Sequence, residues 1–212
     1  MECAICQTRR PRRFCPGVRG DICTLCCGAE REITVDCPLD CEFLREGRRH
    51  EKPPVRDAAE FPNHDIRVSE QLLAANEKLL TFLSYTIFQT AMQVSGVVDS
   101  DVLEALDGLV RTYRTLQSGV YYESRPNNPL AGSIFGAVQE GLAEYRNSEQ
   151  QNLGMTRTRD ADVLGLLVFL QHFGLNCDNG RRRGRAFLDA LRELQPPPPE
   201  PSGDSPPSVI LR

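Results

Sequence analysis

The sequence predicts a small cysteine-stapled module of knuckles, a short β-hairpin and one helix, followed by an all-α bundle of about five helices. Three observations lead there. Eight of the nine cysteines fall within the first 41 of 212 residues. From residue 69 to 194, apolar side chains recur at helical spacing. Between these regions, "EKPPVRDAAEFPNHD" carries three prolines, mixed charge and no apolar period. The chain thus divides into a Cys-rich module at 1–50, a linker at 51–65, a helical bundle at 66–195 and a Pro-rich tail at 196–212.

So short a cysteine-rich segment cannot bury a core of its own and needs staples. The amino end, "MECAICQTRR", has cysteines and arginines where a secretory signal has an apolar run, and no stretch reaches eighteen apolar residues. A cytoplasmic chain that does not enter the membrane is expected. A reducing compartment keeps thiols free, so clustered thiols point to metal before disulfides. Cys3-x2-Cys6 and Cys23-x2-Cys26 each form a tight knuckle whose two sulfurs reach one tetrahedral zinc at about 2.3 Å. The third pair, Cys37-x3-Cys41, follows "REITVD", read as a short strand with Ile33 and Val35 on one face. It precedes a helix with Pro38 in its first turn, where backbone NH groups and the dipole favour thiolate.

The series Cys3, Cys6, Cys15, Cys23, Cys26 with two later ligands resembles the cross-braced zinc modules of the B-box and RING type over roughly the first 45 residues. The resemblance implies two zinc ions per chain. It places Cys3, Cys6, Cys23 and Cys26 on the first ion, and Cys15, Cys37 and Cys41 on the second. B-boxes usually place a ligand three residues after the third cysteine, but Val18 stands there, so Cys27 or Asp21 is the eighth ligand, with Cys27 preferred. Cys37 and Cys41 replace the family's final histidines.

Other chemistries use the same sulfurs. Sequential pairing would put Cys23, Cys26, Cys37 and Cys41 on one ion. An iron–sulfur cluster also takes four cysteines, but its usual closely spaced run ending in Cys-Pro is missing. A redox CxxC normally opens a helix after a strand, whereas these pairs lie among turn formers and further cysteines. Eight cysteines for two ions leave no position for water, which argues for structural metal. His50 at a helix end, His64 in a loop and His172 inside "LLVFLQHFGL" have no identified acid or base partner.

The whole chain carries a formal charge of −4, so bulk electrostatics do not make it a nucleic-acid binder. Two local clusters remain as anion or nucleic-acid contacts: Arg9, Arg10, Arg12 and Arg13 between the first knuckle and Cys15, and Arg181, Arg182, Arg183 and Arg185. The second is read in the first turn of the last helix, where positive charge opposes the macrodipole. In residues 1–56, eleven Lys and Arg face nine Asp and Glu, and eight thiolates with two zinc ions shift the module to about −2.

The bundle is read as five helices. Leu72, Leu79, Leu83, Ile87 and Ala91 mark one over 69–94, ending near Gly96. The second starts from Asp99 or Ser100 and carries Val102, Leu106, Leu109, Val110, Tyr113 and Leu116. Asn128 caps the third, with Pro129 as its first residue. The fourth, "ADVLGLLVFLQHF", is apolar on nearly every side and belongs at the centre, stopping at Gly174. The last runs over about 181–194. Arg111, Arg114 and Arg125 form a candidate phosphate or carboxylate site, weighed against an ordinary solvated face. Cys177 reads as a loop thiol. The tail "PPPPEPSGDSPPSVILR" reads as disordered and partly polyproline II, with a proline-binding partner as one use.

No nucleophile with a base, no phosphate-cradling Gly loop and no acidic metal cluster stands out. The leading expectation is a scaffold protein that contacts another protein or its own copies, as the resemblance to B-box-like modules implies. A nucleic-acid-binding regulator is the alternative, and an enzyme with an unrecognised pocket in the bundle is third.

Overall fold

The computed structural model describes residues 2–52 and 56–195. The tail read at 196–212 lies outside them.

The head holds one antiparallel hairpin, β1 (Arg13–Cys15) and β2 (Gly20–Ile22), with Phe14 opposite Asp21 and Cys15 opposite Gly20. Two helices complete it, α1 (Thr24–Glu30) and α2 (Glu42–His50). The predicted hairpin is therefore present, but "REITVD" is not a strand of it. That stretch turns back on itself, with Glu32 in the left-handed region at φ 54 and a lone bridge from Arg31 to Val35. A second helix appears because the knuckle carrying Cys23 and Cys26 winds into α1.

The body is α3 (Glu70–Ala75), α4 (Glu77–Gln93), α5 (Asp99–Gln117), α6 (Pro129–Leu153), α7 (Asp160–Cys177) and α8 (Ala186–Glu193). The described residues thus hold eight α-helices, six of them in the body instead of about five. The extra one arises at Asn76, which breaks the expected 69–94 helix. Its side-chain amide and backbone NH both donate to the Leu72 carbonyl, at 3.0 and 3.2 Å, closing α3 before α4 begins. Ser69 opens α3 by accepting the Leu72 NH at 3.2 Å.

Helix α5 packs on α6 and α7, and α4 packs on α6 and α8. The centre is α7, where Val163, Leu164, Leu166, Leu167, Val168 and Leu170 are all at most 1% exposed, as its all-round apolar sequence predicts. It passes Gly174 and ends at Cys177; Gly174 packs instead, since a Cβ there would meet the Phe187 ring at 2.7 Å. Asn128 caps α6 as expected, accepting the Leu130 NH at 3.0 Å.

Asp99 is the first residue of α5, with Val98 as cap, and its buried carboxylate accepts the Phe187 and Leu188 NH groups at the start of α8. A negative group at a helix amino terminus suits the macrodipole. Burial nevertheless dominates and pushes its pKa up to about 7. Because the folded value exceeds the unfolded one, the folded chain holds more protons between them. Stability is therefore highest below about pH 4 for this group and falls as pH rises through 7, by something on the order of 4 kcal/mol at most. Asp99→Asn should flatten that slope between pH 4 and 7 in urea titrations.

The stretch read as a linker is packed where it is described. Arg56 pairs with Asp178 at 3.0 Å, Asn63 donates to Gln171 at 2.7 Å, and Phe61 lies edge-on to His172 with centroids 5.2 Å apart. His172 itself is satisfied by the Pro62 carbonyl at 2.7 Å. No described helix is long and apolar enough to cross a membrane.

Candidate metal centre

Cys3 and Cys6 lie on the first turn of the head, and Cys23 caps α1 with Cys26 one turn on. Their four sulfurs lie within 4.8 Å of one another. A tetrahedral zinc with 2.3 Å bonds needs sulfurs about 3.8 Å apart, so the set fits such an ion. The arrangement joins the Cys3–Cys6 knuckle to the Cys23–Cys26 knuckle, instead of joining Cys23 and Cys26 to Cys37 and Cys41.

The surroundings stabilise negative sulfur. The Cys23 NH donates to the Cys3 sulfur at 3.2 Å and the Cys26 NH to the Cys23 sulfur at 3.4 Å. The Thr8 hydroxyl and the Thr8 and Arg9 NH groups bring the Cys6 thiol down to about 5. Burial, with the neighbouring sulfurs, drives Cys26 up to about 12. Shifts in opposite directions within one cluster follow from crowding several negative sulfurs together. A divalent cation removes the conflict by letting all four ionise. The neighbouring Cys23 sulfur, with Cys6 and Cys26, raises the pKa of the Arg9 guanidinium.

Cys15, Cys27, Cys37 and Cys41 line a second small cavity of about 10 Å³, roughly the room for one small sphere. Arg13 donates to the Cys27 sulfur at 3.8 Å and stacks over Phe43 at 3.8 Å. Burial raises the Cys37 thiol, with Cys15 and Cys41 adding to the effect. Cys41 caps α2. Asp21 is exposed on the hairpin, whereas Cys27 lines the cavity. Among the described residues, no second group of metal-ligand atoms draws together as closely as the first. Cys177 is remote from both sets in sequence, and burial pushes its thiol up to about 11. Cys6→Ser should lower the zinc content of the reduced chain, as counted by native mass spectrometry.

Between Cys27 and Cys37 the turn presents Glu32, which no sequence signal marked. It is 0% exposed. Its carboxylate accepts from Arg48 at 2.6 Å, from Asn179 at 2.9 Å and from the Arg185 NH at 2.9 Å, with Arg181 at 3.6 Å. Its carbonyl accepts the Arg183 NH at 2.8 Å. Arg48 also pairs with Asp189 of α8, and Leu39 joins the body's core. The head and the body are thus joined by a buried ionic network built on the segment between the cysteines.

This placement accounts for half of the "GRRRGR" cluster. Arg181 pairs with Glu51 at 2.7 Å, and Arg185 pairs with Asp36 at 2.8 Å and donates to the Val97 carbonyl at 2.9 Å. Arg182 and Arg183 are exposed. The cluster precedes α8, which starts at Ala186 instead of 181, so it does not sit in a helical first turn. Arg111 pairs with Asp107 and Arg114 with Asp65, while Arg125 lies near Gly132 and Gly136. Arg111 and Arg114 thus engage different carboxylates. Arg9, Arg10 and Arg12 are exposed on the head. Comparison of the chain with protein-family models, with curated proteins and with solved structures finds no match.

Proposed function

We propose that the chain is an interaction protein whose head is a B-box-like, cross-braced module holding two structural zinc ions, and that it works without catalysing a reaction. The observation carrying this reading is the four-cysteine cluster, which fills a tetrahedral coordination sphere and leaves no place for water or substrate. Zinc supplies charge neutralisation and cross-linking there. The chain's own residues do the rest: the amide donors fix the sulfurs, and Arg9 and Arg13 offset their charge. Thiolates held this way call for a reducing compartment, which the reading takes as the cytoplasm.

Support for a protein partner comes from the head's surface. Leu25 on α1 is 63% exposed and Ile33 in the turn is 43% exposed, although α1 and that turn are fixed by the knuckles and by Glu32. Rigidly presented apolar side chains suit a contact that loses little entropy on binding. The partner is another protein or a second copy of this chain. The test is cross-linking with nuclease-treated lysate, comparing the zinc-loaded chain with its Leu25→Glu and Ile33→Glu variants, together with sedimentation of the purified chain. A partner or dimer lost in both variants agrees with the proposal; the same adducts in all three chains contradict it.

A further inference from the structure

The arginines of this chain are unequally engaged. Arg48, Arg114, Arg146, Arg181, Arg185 and Arg192 each lie against a carboxylate. On the head, Arg13 stacks on Phe43 and reaches the Cys27 sulfur, and Arg9 serves the Cys23 sulfur. Arg10, Arg12 and Arg19 are different: all three are exposed and none forms an ion pair with a described residue.

In sequence they flank an exposed aromatic residue, Phe14. Residues two apart on a strand project from the same face; Arg12 directly precedes β1 and continues its pairing through its NH on the Ile22 carbonyl at 2.9 Å, so it lies on the face of Phe14, while Arg13 and Cys15 face inward. Phe14 is 60% exposed. Arg19 closes the turn of the hairpin with φ 56, and Asp21 stands opposite Phe14. The face of Phe14 therefore carries Arg12 and Asp21, with exposed Arg19 at the hairpin turn and exposed Arg10 just upstream in the chain, and the fold does not bury the ring. The inner face is tied down by Cys15 and Ile22, so the ring is displayed on a stiff support.

We propose that this hairpin face binds single-stranded nucleic acid, with Phe14 as the stacking platform and Arg10, Arg12 and Arg19 on the backbone phosphates. Flat aromatic surface ringed by unpaired cations is the arrangement that grips unpaired bases without reading sequence. A duplex does not suit it, because paired bases are already stacked and offer the ring no open face. The inference goes beyond the scaffold reading and requires only that the hairpin be folded. In the second arginine cluster, Arg181 and Arg185 are held by Glu51, Asp36 and Glu32, so only Arg182 and Arg183 stay exposed there.

The test uses the full zinc-loaded chain and a labelled oligo-deoxythymidine of about twelve nucleotides, followed by fluorescence anisotropy. Three phosphate contacts predict a slope of about −2 in log affinity against log salt, so a tenfold rise in salt weakens binding about 100-fold. Phe14→Ala should weaken binding about 5- to 150-fold, and Phe14→Leu, which keeps apolar bulk without the ring, should behave the same way. Arg12→Ala with Arg19→Ala should flatten the salt slope, while Arg182→Ala with Arg183→Ala should leave it unchanged. Zinc content measured alongside shows that the head stays folded. No binding at low salt, equal binding by the Phe14 variants, or preference for an oligoglutamate peptide over the oligonucleotide would each overturn the proposal.

Discussion

Glu32→Ala is expected to destabilise the protein by about 3–5 kcal/mol, the usual cost of removing one partner from a buried ionic network. The side chain is fully buried and meets Arg48, Asn179, Arg181 and the Arg185 NH, so its loss leaves Arg48 with Asp189 alone, Arg181 with Glu51 alone, and the Asn179 amide and Arg185 NH without their acceptor. Glu32→Gln keeps shape and part of the acceptor capacity, and should cost less, about 1.5–3 kcal/mol. The backbone provides an independent check. Glu32 sits at φ 54, a region that costs a residue with a Cβ about 1–2 kcal/mol. Glu32→Gly should therefore be the more stable of the two truncations by about 1 kcal/mol. Urea titrations with equal slopes for all three variants would place these changes in the native state.

Stripping the metal from the reduced chain should unfold the head while leaving most helix in place. Structural zinc contributes on the order of 10–16 kcal/mol to small cysteine modules, which have no comparable apolar core to fall back on. Here the head's buried apolar side chains beyond the cysteines are few, Ile22, Val35 and Leu44 among them. The body has its own core, with Leu83, Ile87, Leu106, Leu109, Phe135 and Phe187 all at most 1% exposed. Chelation should thus preserve most of the far-ultraviolet helical signal and erase the dispersed amide resonances of residues 2–50. The body should also melt at a lower temperature, because Leu39 leaves its core and Arg185 and Asp189 lose their partners across the junction. An unchanged melting temperature would mean that the ionic junction carries no net stability.

What could be read from the sequence followed the range of the forces involved. Two cysteines separated by two residues define a knuckle almost by themselves, so the four cysteines of the first cluster were legible. Helical periodicity located the body for the same local reason, and α7 announced its central place by being apolar all round. The Asn76 break was harder to see, because an asparagine inside a helical pattern ends it only when its amide turns back on Leu72. The fate of Arg181 and Arg185 was not legible. Their partner Glu32 lies about 150 residues earlier in the chain, in a stretch whose alternating Ile33 and Val35 read as a strand. A charge run looks the same in sequence whether water or a buried carboxylate awaits it.

The account rests on cations bound by the head's sulfurs. X-ray absorption at the zinc edge, combined with native mass spectrometry of the reduced full-length chain, tests it most directly. Two zinc ions per chain, each with four sulfurs at about 2.3 Å, is the predicted result. A metal-free chain whose residues 2–50 still give well-dispersed amide resonances under reducing conditions would contradict it.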